Sequence, residues 1–216
     1  MEILYEDAAL IVAVKPGGTV SENTPSGDGF ADLLAARCGG YIGTVHRLDR
    51  GVGGVMAYAK TPAAAARLSA AIQDRTLKKE YLAVVHGTPS PAGGELRDLL
   101  FHDRMKNKTF VVDRARRGVK EAILDFEVLR SVQNDGEAYS LLRIRLQTGR
   151  THQIRVQFSS RGHALLGDGK YGSRERSPLG LFCTRLEIPH PITGKTLTVE
   201  ALPQGSPWEI FGKALS

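Results

Sequence analysis

Apolar and polar residues alternate in several short runs along the chain, and this alternation is typical of β-strands. Turn residues such as Pro16-Gly17-Gly18 separate the runs. Strands are predicted at residues 3–5, 10–15, 55–60, 77–87, 122–129, 139–147, 181–188 and 196–201. Between them, short strands are expected around a basic loop at residues 104–120. Two hairpins are predicted, with turns at Asn134-Asp135-Gly136 and around residues 191–195.

Helical segments lie between these strands. They are predicted at residues 30–37, 63–74 and 151–161. The second has the clearest start, because Thr61 can cap its first turn and Pro62 fits that turn. The first and third are followed by Gly39 and Gly162, residues that favour a helix end. Since no repeat, low-complexity tract or linker divides the chain, one α+β domain over residues 1–216 is predicted.

The positive charge of the chain is concentrated in two stretches. The net charge of the 216 residues is +6. Residues 103–121 contain seven Lys or Arg against three acids, and residues 143–176 contain eight against two. The rest of the chain is therefore slightly acidic. Clustered basic residues on a near-neutral body are typical of nucleic-acid binding, although an ordinary solvated surface explains charge alone equally well.

Composition narrows the class of protein. Hydrophobic residues make up 42% and charged residues 24%, as in ordinary soluble proteins. No apolar run approaches the length of a membrane span, and the acidic first residues do not form a signal peptide. Cys38 and Cys183 are too few and too far apart for a disulfide framework or a thiolate metal site. The six histidines lack metal-ligand spacing. A cytoplasmic protein without a metal is expected.

Asp49 is the first candidate for chemistry. It lies between Arg47 and Arg50, and Gly51-Val52-Gly53-Gly54 follows directly. Nearby positive charge favours the ionised carboxylate. The glycines would let another group approach the backbone closely. A surface ion pair is the competing interpretation, because most such charged residues form one.

Tyr81 and Arg150 complete the set of candidates. Tyr81 lies in a predicted strand, and Arg150 lies at the corner between a predicted strand and a helix. Taken singly, they would be a half-buried strand residue and a surface charge. Together with Asp49 they provide an acid, a phenol and a guanidinium, without a second carboxylate, a thiol or a metal site.

These residues belong to motifs that resemble a known family. The motifs are His46-Arg47-Leu48-Asp49-Arg50, Lys79-Glu80-Tyr81, Gly149-Arg150-Thr151-His152-Gln153-Ile154-Arg155 and Gly167-Asp168-Gly169-Lys170-Tyr171-Gly172, in that order. The opening residues 3–7 and Lys15-Pro16 also match. Order and content resemble the RluA-like pseudouridine synthases over essentially the whole chain. The resemblance implies a single catalytic domain with a mixed, largely antiparallel sheet, flanking helices and a central cleft.

The resemblance also implies a role for each candidate. Asp49 corresponds to the catalytic aspartate, and Arg150 to the arginine that forms an ion pair with it. Tyr81 corresponds to the tyrosine that stacks on the target base and helps to remove the proton at carbon 5. Arg47 corresponds to the arginine that enters the RNA and fills the space left by the flipped uridine. Ile154 is expected in the apolar wall of the pocket.

The reaction implied by the family conserves all atoms, so no cofactor is expected. The carboxylate acts at the anomeric carbon, either as a nucleophile or by assisting loss of a ribose proton, and both routes stay open. The target uridine must be flipped out of structured RNA. Basic residues would bind the phosphates. The residues expected to do so are Arg50, His152, Arg155 and Lys170.

The expected partner is RNA, either ribosomal RNA of the large subunit or transfer RNA. The chain begins directly with the catalytic part, so recognition is expected to come from this domain in a monomer that needs neither a membrane nor an obligate protein partner. Two rivals are an inactive RNA-binding module of the same fold and a nucleoside or glycoside hydrolase that uses Asp49. The lack of a second candidate carboxylate argues against the hydrolase.

Two positions depart from the family pattern. After Arg50 the family usually has an acidic or polar residue and then Thr-Ser-Gly, whereas this chain has Gly51-Val52-Gly53-Gly54. Two hydroxyls that could brace the loop are thus absent. Ala164 stands where proline is common. These departures are expected to affect the rigidity of the loop and the choice of RNA more than the reaction.

Overall fold

A computed structural model describes residues 1–134 and 136–215, with side chains up to residue 212. The strands are β1 (Glu2–Glu6), β2 (Leu10–Lys15), β3 (Gly43–Thr44), β4 (Gly53–Ala59), β5 (Lys78–His86), β6 (Gly93–Asp103), β7 (Lys108–Val112), β8 (Val119–Asn134), β9 (Glu137–Leu146), β10 (Leu181–Pro189) and β11 (Thr196–Glu200). The helices are α1 (Phe30–Cys38), α2 (Pro62–Gln73) and α3 (Gln153–Ser159). Short 3-10 segments lie at Gly169–Tyr171 and Trp208–Leu215.

The chain divides into two compact units. The first contains Met1–Glu80 and Phe182–Pro203, and the second contains Tyr81–Leu181 and Gln204–Ser216. Strands β5 and β10 each cross a boundary between the units along the chain. The expectation that residues 1–216 act as one catalytic domain stays a prediction.

The first unit is built on β4, all seven residues of which are buried. Strand β2 pairs antiparallel with both β1 and β4, and β10 pairs parallel with β4 and antiparallel with β11. Val55, Ala57 and Ala59 pack with Leu68 of α2 in one core cluster. On the other face, the ring of Tyr58 lies 5.9 Å from that of Phe30 in α1. Since both faces are covered, β4 is apolar throughout rather than alternating.

The second unit contains an antiparallel run of strands in the order β9–β8–β6–β7. Helix α3 packs against β6 and β7. Leu100, Ala122, Val156 and Tyr171 form a core cluster there. The predicted hairpin of β8 and β9 is confirmed by the pairing of the two strands, while Asp135 of its turn lies outside the described residues.

Most predicted elements are confirmed, and the differences have physical causes. The expected basic loop at 104–120 contains β7, whose alternation is obscured by cations, and β6 and β8 are long strands of 11 and 16 residues rather than short ones. Helix α3 starts two residues late because His152 has a left-handed backbone, with φ of 54°. The segment Trp208–Leu215 was not predicted. Apart from β4 with β10, the pairings described for each unit are antiparallel, which confirms the α+β class.

Candidate active site

Asp49 lies in a loop between β3 and β4 that is braced through its neighbour Leu48. The side chain of Leu48 is buried, at 6% exposure. The hydroxyl of Ser21 donates to the carbonyl oxygen of Leu48 (2.8 Å) and accepts from its N–H (3.1 Å). Tyr58 of β4 in turn donates to the carbonyl oxygen of Ser21 at 2.9 Å. The loop therefore gains from Ser21 a hydroxyl brace that its own sequence lacks.

A buried lysine supports the other side of the loop. Lys15, at the end of β2, is fully buried. Its Nζ donates to the carbonyl oxygens of Thr19 (2.8 Å) and Pro16 (3.0 Å), and it lies 3.5 Å from that of Arg50. Burial lowers the pKa of Lys15 to about 8, although the nearby carboxylate of Asp49 acts to raise it. Positive charge is thus placed beside Asp49 by a residue 34 positions earlier in the chain.

The two arginines that flank Asp49 bind other groups. The guanidinium of Arg47 is exposed and forms an ion pair with Glu22 at 2.9 Å. Nε of Arg50 donates to the carbonyl oxygen of Gly18 (2.9 Å), and the N–H of Gly18 donates to the carbonyl oxygen of Arg50 (2.7 Å). Arg50 therefore joins the loop to the turn after β2, while an exposed ion pair holds Arg47.

The glycines after Asp49 serve the fold in a way that the sequence did not predict. Gly54 has a φ of 130°, and a Cβ atom on it would lie only 2.5 Å from the backbone nitrogen of Cys183. Its neighbour Gly53 pairs with Phe182 of β10. The group that approaches Gly54 is therefore strand β10 of the same chain. The close approach expected at these glycines is thus made at Gly54 by the backbone of Cys183.

His46 anchors the start of the loop as a neutral ring. Its Nε2 accepts a hydrogen bond from the N–H of Ala57 at 3.1 Å. Burial lowers the pKa of His46 well below its usual range, and the positive charge of Lys79 lowers it further. The pKa of Lys79 is itself lowered by burial. Because Nε2 accepts, the proton of the neutral ring is on Nδ1.

In the second unit, Tyr81 lies in β5 and is buried, at 5% exposure. The four residues that follow it, Leu82 to Val85, are buried as well. Tyr81 is therefore held within a continuous buried segment of β5.

Arg150 is positioned by Gln153, the first residue of α3. The side-chain oxygen of Gln153 accepts from the N–H of Arg150 (3.0 Å) and from the hydroxyl of Thr148 (2.8 Å). Its amide nitrogen donates to the carbonyl oxygen of Ile123 in β8 at 3.1 Å. Nε of Arg150 donates to the carbonyl oxygen of Glu121 at 2.8 Å. The corner that carries Arg150 is thus tied to β8 at several points.

His152 and Arg155, both expected to bind RNA, are held in contacts inside the second unit. His152 is 8% exposed, and its Nδ1 lies 2.9 Å from the hydroxyl of Tyr171. Arg155 binds both carboxylate oxygens of Asp168, at 2.7 and 2.8 Å, and its guanidinium lies 5.0 Å from the centre of the Tyr171 ring. These surroundings favour a supporting role for both residues.

The remaining predicted residues differ in exposure. Lys170 is exposed, and its Nζ donates to the carbonyl oxygen of Asn107 at 2.9 Å. Ile154 is buried in the first turn of α3, at 4% exposure, which is compatible with a place in an apolar wall. The expected ion pair between Asp49 and Arg150 joins residues of different units and stays a prediction.

Sequence reasoning missed three supporting residues. Lys15 was noted only as part of a motif, although a lysine at the end of an apolar strand is itself a signal. Ser21 gives no local signal, because its partner is 27 residues away. Gln153 was noted only as part of a motif, and its partner Ile123 lies 30 residues earlier in the chain.

Two further observations concern the described part of the chain. No helix there is long and apolar enough to cross a membrane. No group of three His, Cys, Asp or Glu side chains among those residues is placed to hold a metal ion.

Comparison with known proteins supports the motif assignment. Residues 9–160 match the family described as RNA pseudouridylate synthase. The chain belongs to this family. The predicted enzyme class, an isomerase of the pseudouridine synthase type, is thereby confirmed. The ribosomal large subunit pseudouridine synthase D of Zymomonas mobilis is 32% identical over 227 residues, with 94% of this chain and 70% of the relative covered.

Other relatives agree. An uncharacterized RNA pseudouridine synthase of Bacillus subtilis is 32% identical and covers 93% of this chain and 68% of its own length. The ribosomal large subunit pseudouridine synthase D of Vibrio vulnificus is 34% identical, with 93% of this chain and 66% of the relative covered. The chain thus spans about two thirds of the length of these relatives.

Solved structures show the same fold. The human RNA pseudouridylate synthase domain containing 1 superposes with a TM-score of 0.80 at 23% identity, covering all of this chain and 87% of its own. The human domain containing 4 gives a TM-score of 0.78 at 23% identity, with 99% and 92% covered. The pseudouridine-synthase-type fold predicted from the sequence is confirmed.

Proposed function

We propose that this chain converts specific uridines of structured RNA to pseudouridine, with Asp49 as the catalytic residue. Ribosomal RNA of the large subunit is the favoured substrate, because several relatives are named ribosomal large subunit pseudouridine synthases. Transfer RNA is the second candidate. The main observation behind the proposal is the structure of the Asp49 loop. Ser21 forms hydrogen bonds with this loop, and Lys15 is buried beside it. That bracing fits a carboxylate that must be held at one atom of a substrate.

In the proposed reaction, the bond between C1′ of the ribose and N1 of the base breaks and a bond between C1′ and C5 forms. The proton leaves C5 and N1 gains one, so the product is an isomer and no cofactor is consumed. The carboxylate of Asp49 acts at the sugar, either by attacking C1′ or by assisting loss of a ribose proton. Positive charge beside it favours the ionised form that either route needs.

Tyr81 and Arg150 have separate proposed tasks. Tyr81 stacks on the detached base and assists removal of the C5 proton, and Ile154 contributes to the apolar wall that retains the base. Arg150 orients the carboxylate of Asp49, for which a guanidinium offers bidentate geometry. The hydrogen bonds of Gln153 to the Arg150 corner support that task.

Exposed cations are proposed to contact the RNA. We assign Arg47 to the space left by the flipped uridine, and Arg50 and Lys170 to phosphates. The exposed ion pair of Arg47 with Glu22 costs little to break, since such pairs contribute about 0–1 kcal/mol. His152 and Arg155 are proposed to support this part of the site from within, through Tyr171 and Asp168.

The domain organisation, location and oligomeric state are part of the same proposal. Residues 1–216 are proposed to act as one catalytic domain, in the cytoplasm, as a monomer and without an obligate protein partner. Asp49 comes from the first unit, and Tyr81 and Arg150 come from the second.

The test uses purified protein with two in vitro transcripts, a large-subunit ribosomal RNA and a transfer RNA. Pseudouridine is mapped after incubation with the parent and with Asp49→Asn, and free uracil is measured in the same samples. Pseudouridine from the parent alone supports the proposal. Free uracil would identify a hydrolase. Tight binding by both proteins without any pseudouridine would identify a binding module.

A further inference from the structure

Residues 101–120, which we call the basic arm, run from the end of β6 through β7 to the start of β8. Six of its cations are Arg104, Lys108, Arg114, Arg116, Arg117 and Lys120. Among the residues that the structure describes, no carboxylate forms an ion pair with these six. The remaining cation of the arm, Lys106, lies 3.9 Å from Asp103. With seven cations against Asp103 and Asp113, the arm carries a net charge of +5. Its cations repel one another, and a polyanion would relieve that repulsion.

Three arginines elsewhere in the same unit form ion pairs. Arg97 binds Glu121 at 2.8 Å, and Arg143 binds Glu127 at 2.6 Å. Arg161 likewise binds Asp98 at 2.9 Å. The six cations of the arm differ from these three arginines in having no paired carboxylate among the described residues.

The backbone of the arm is ordered by its own hydrogen bonds. At the turn between β6 and β7, the N–H of Lys106 donates to Asp103 (3.1 Å) and the N–H of Asn107 donates to the carbonyl of Arg104 (3.3 Å). Lys170 then binds the carbonyl of Asn107 from outside the hairpin at 2.9 Å. The cations are thus presented on a defined hairpin, and Lys170 adds a further charge at its turn.

The arm also exposes groups that can contact bases. Met105 at the turn is 96% exposed. Phe101 and Phe110 are cross-strand partners, and Phe110 is 37% exposed. The guanidinium of Arg116 lies 5.0 Å from the ring of Phe101, and Nζ of Lys108 lies 5.8 Å from the ring of Phe110. Aromatic faces and exposed apolar side chains among cations are what a surface needs to bind phosphates and stack on bases together.

We propose that the basic arm is an RNA-binding surface, which rests on the proposed function in so far as the RNA is the substrate. Its unpaired cations bind phosphates, and Met105 and Phe110 contact an unstacked base. None of the residues of the arm is among those assigned to the reaction, so the arm would contribute affinity and choice of RNA. The catalytic domain would thereby recognise the RNA through its own basic arm.

The first test changes charge. The triple variant Arg104→Gln, Arg114→Gln, Arg117→Gln is compared with a control triple of exposed cations in the first unit, Arg67→Gln, Arg75→Gln, Lys195→Gln. Binding of a large-subunit ribosomal RNA transcript is measured between 50 and 200 mM KCl. We expect the arm triple to raise Kd about ten-fold or more and to lower the salt slope by about 2, because each lost phosphate contact removes about 0.7–0.9. The control should change Kd less than about two-fold. Equal effects of the two triples would overturn the proposal.

The second test changes the base contact. Met105→Ser alters a side chain that is almost fully exposed, so it should leave the melting temperature unchanged. We expect Kd to rise about five-fold, because an apolar contact with a base is lost. The salt slope should be unchanged, because no charge is removed. An unchanged Kd would overturn the proposed base contact.

Two comparisons distinguish an RNA-binding arm from a membrane surface and from a failure of the proposed reaction. If the arm triple loses binding to vesicles of 30% phosphatidylserine but binds RNA like the parent, the arm is a membrane surface and the proposal is wrong. Pseudouridine formation is measured in parallel. If the parent modifies RNA and the arm triple binds RNA normally, the proposed role of the arm is wrong and the proposed reaction is unaffected. If the parent never modifies RNA but the arm triple binds RNA more weakly than the parent, the proposed reaction is wrong. The RNA-binding role of the arm is then still supported.

Discussion

The buried ammonium of Lys15 and the carboxylate of Asp49 interact electrostatically at the base of the Asp49 loop. Lys15 also binds backbone carbonyls on both segments that meet there, at Thr19 and close to Arg50. One side chain therefore performs two tasks, since it holds the loop and places positive charge beside the proposed catalytic group.

Stability should depend on pH through Lys15. Burial lowers the pKa of Lys15 in the folded protein to about 8, below its unfolded value of 10.5. Between these values the unfolded state binds more protons, so stability rises with pH. Compared with Lys15→Met, the parent should gain about 1–2 kcal/mol of unfolding free energy between pH 7.5 and 9.5. Urea unfolding of both proteins at the two pH values measures this. A constant difference would show that Lys15 does not titrate in this range.

The hydroxyl of Ser21 should be needed for the geometry of the loop. In Ser21→Ala, the backbone N–H and C=O of Leu48 both lose a buried partner, which should cost about 1–3 kcal/mol of stability. We expect kcat to fall while the Kd for RNA stays the same. Ser177→Ala, which removes a hydroxyl bound to an exposed neighbouring carbonyl, is the control. Equal kcat in both variants would argue against bracing by Ser21.

Gly54 should tolerate no side chain. A Cβ atom at this position would collide with the backbone of Cys183, and the φ of 130° is unfavourable for other residues. Gly54→Ala should therefore lower the unfolding free energy by at least about 3 kcal/mol or prevent folding. Gly40→Ala, with no atom within 4 Å of the added methyl, is the control and should be near neutral. A stable Gly54→Ala protein would contradict the close pairing of β4 and β10.

Arg47 should matter for RNA and not for stability. Its ion pair with Glu22 is exposed, so Arg47→Ala should change the unfolding free energy by less than about 1 kcal/mol. On structured RNA, kcat/KM should fall about ten-fold or more, because filling the gap offsets part of the few kcal/mol needed to unstack a base. Glu22→Ala frees Arg47 and should keep activity. Parental kinetics in Arg47→Ala would rule out the assigned role.

Local signals predicted most of the fold. Thr61 and Pro62 marked the start of α2, and the apolar run of residues 10–15 predicted β2 with its observed bounds. Strand β7 was missed because lysine and exposed residues mask its alternation. The late start of α3 was missed because the periodicity of the segment does not show the left-handed backbone of His152.

The candidate site was also predicted only in part. Motifs identified Asp49, Tyr81 and Arg150 as candidates, but motifs are short segments and could not show what supports them. Ser21 binds Leu48 across 27 residues, and Gln153 binds Ile123 of β8 across 30. Contacts between distant segments depend on the pairing of strands and the packing of helices. The group that approaches Gly54 could not be named for the same reason, because Cys183 is remote in sequence.

The most direct test of the proposed reaction compares RNA from a strain that lacks this protein, complemented with the parent or with Asp49→Asn. Pseudouridine is mapped across large-subunit ribosomal RNA and transfer RNA at single-nucleotide resolution. We predict at least one uridine that is modified only in the presence of the parent, with Asp49→Asn expressed at the same level. Restoration of that pseudouridine by Asp49→Asn would contradict the catalytic role of Asp49.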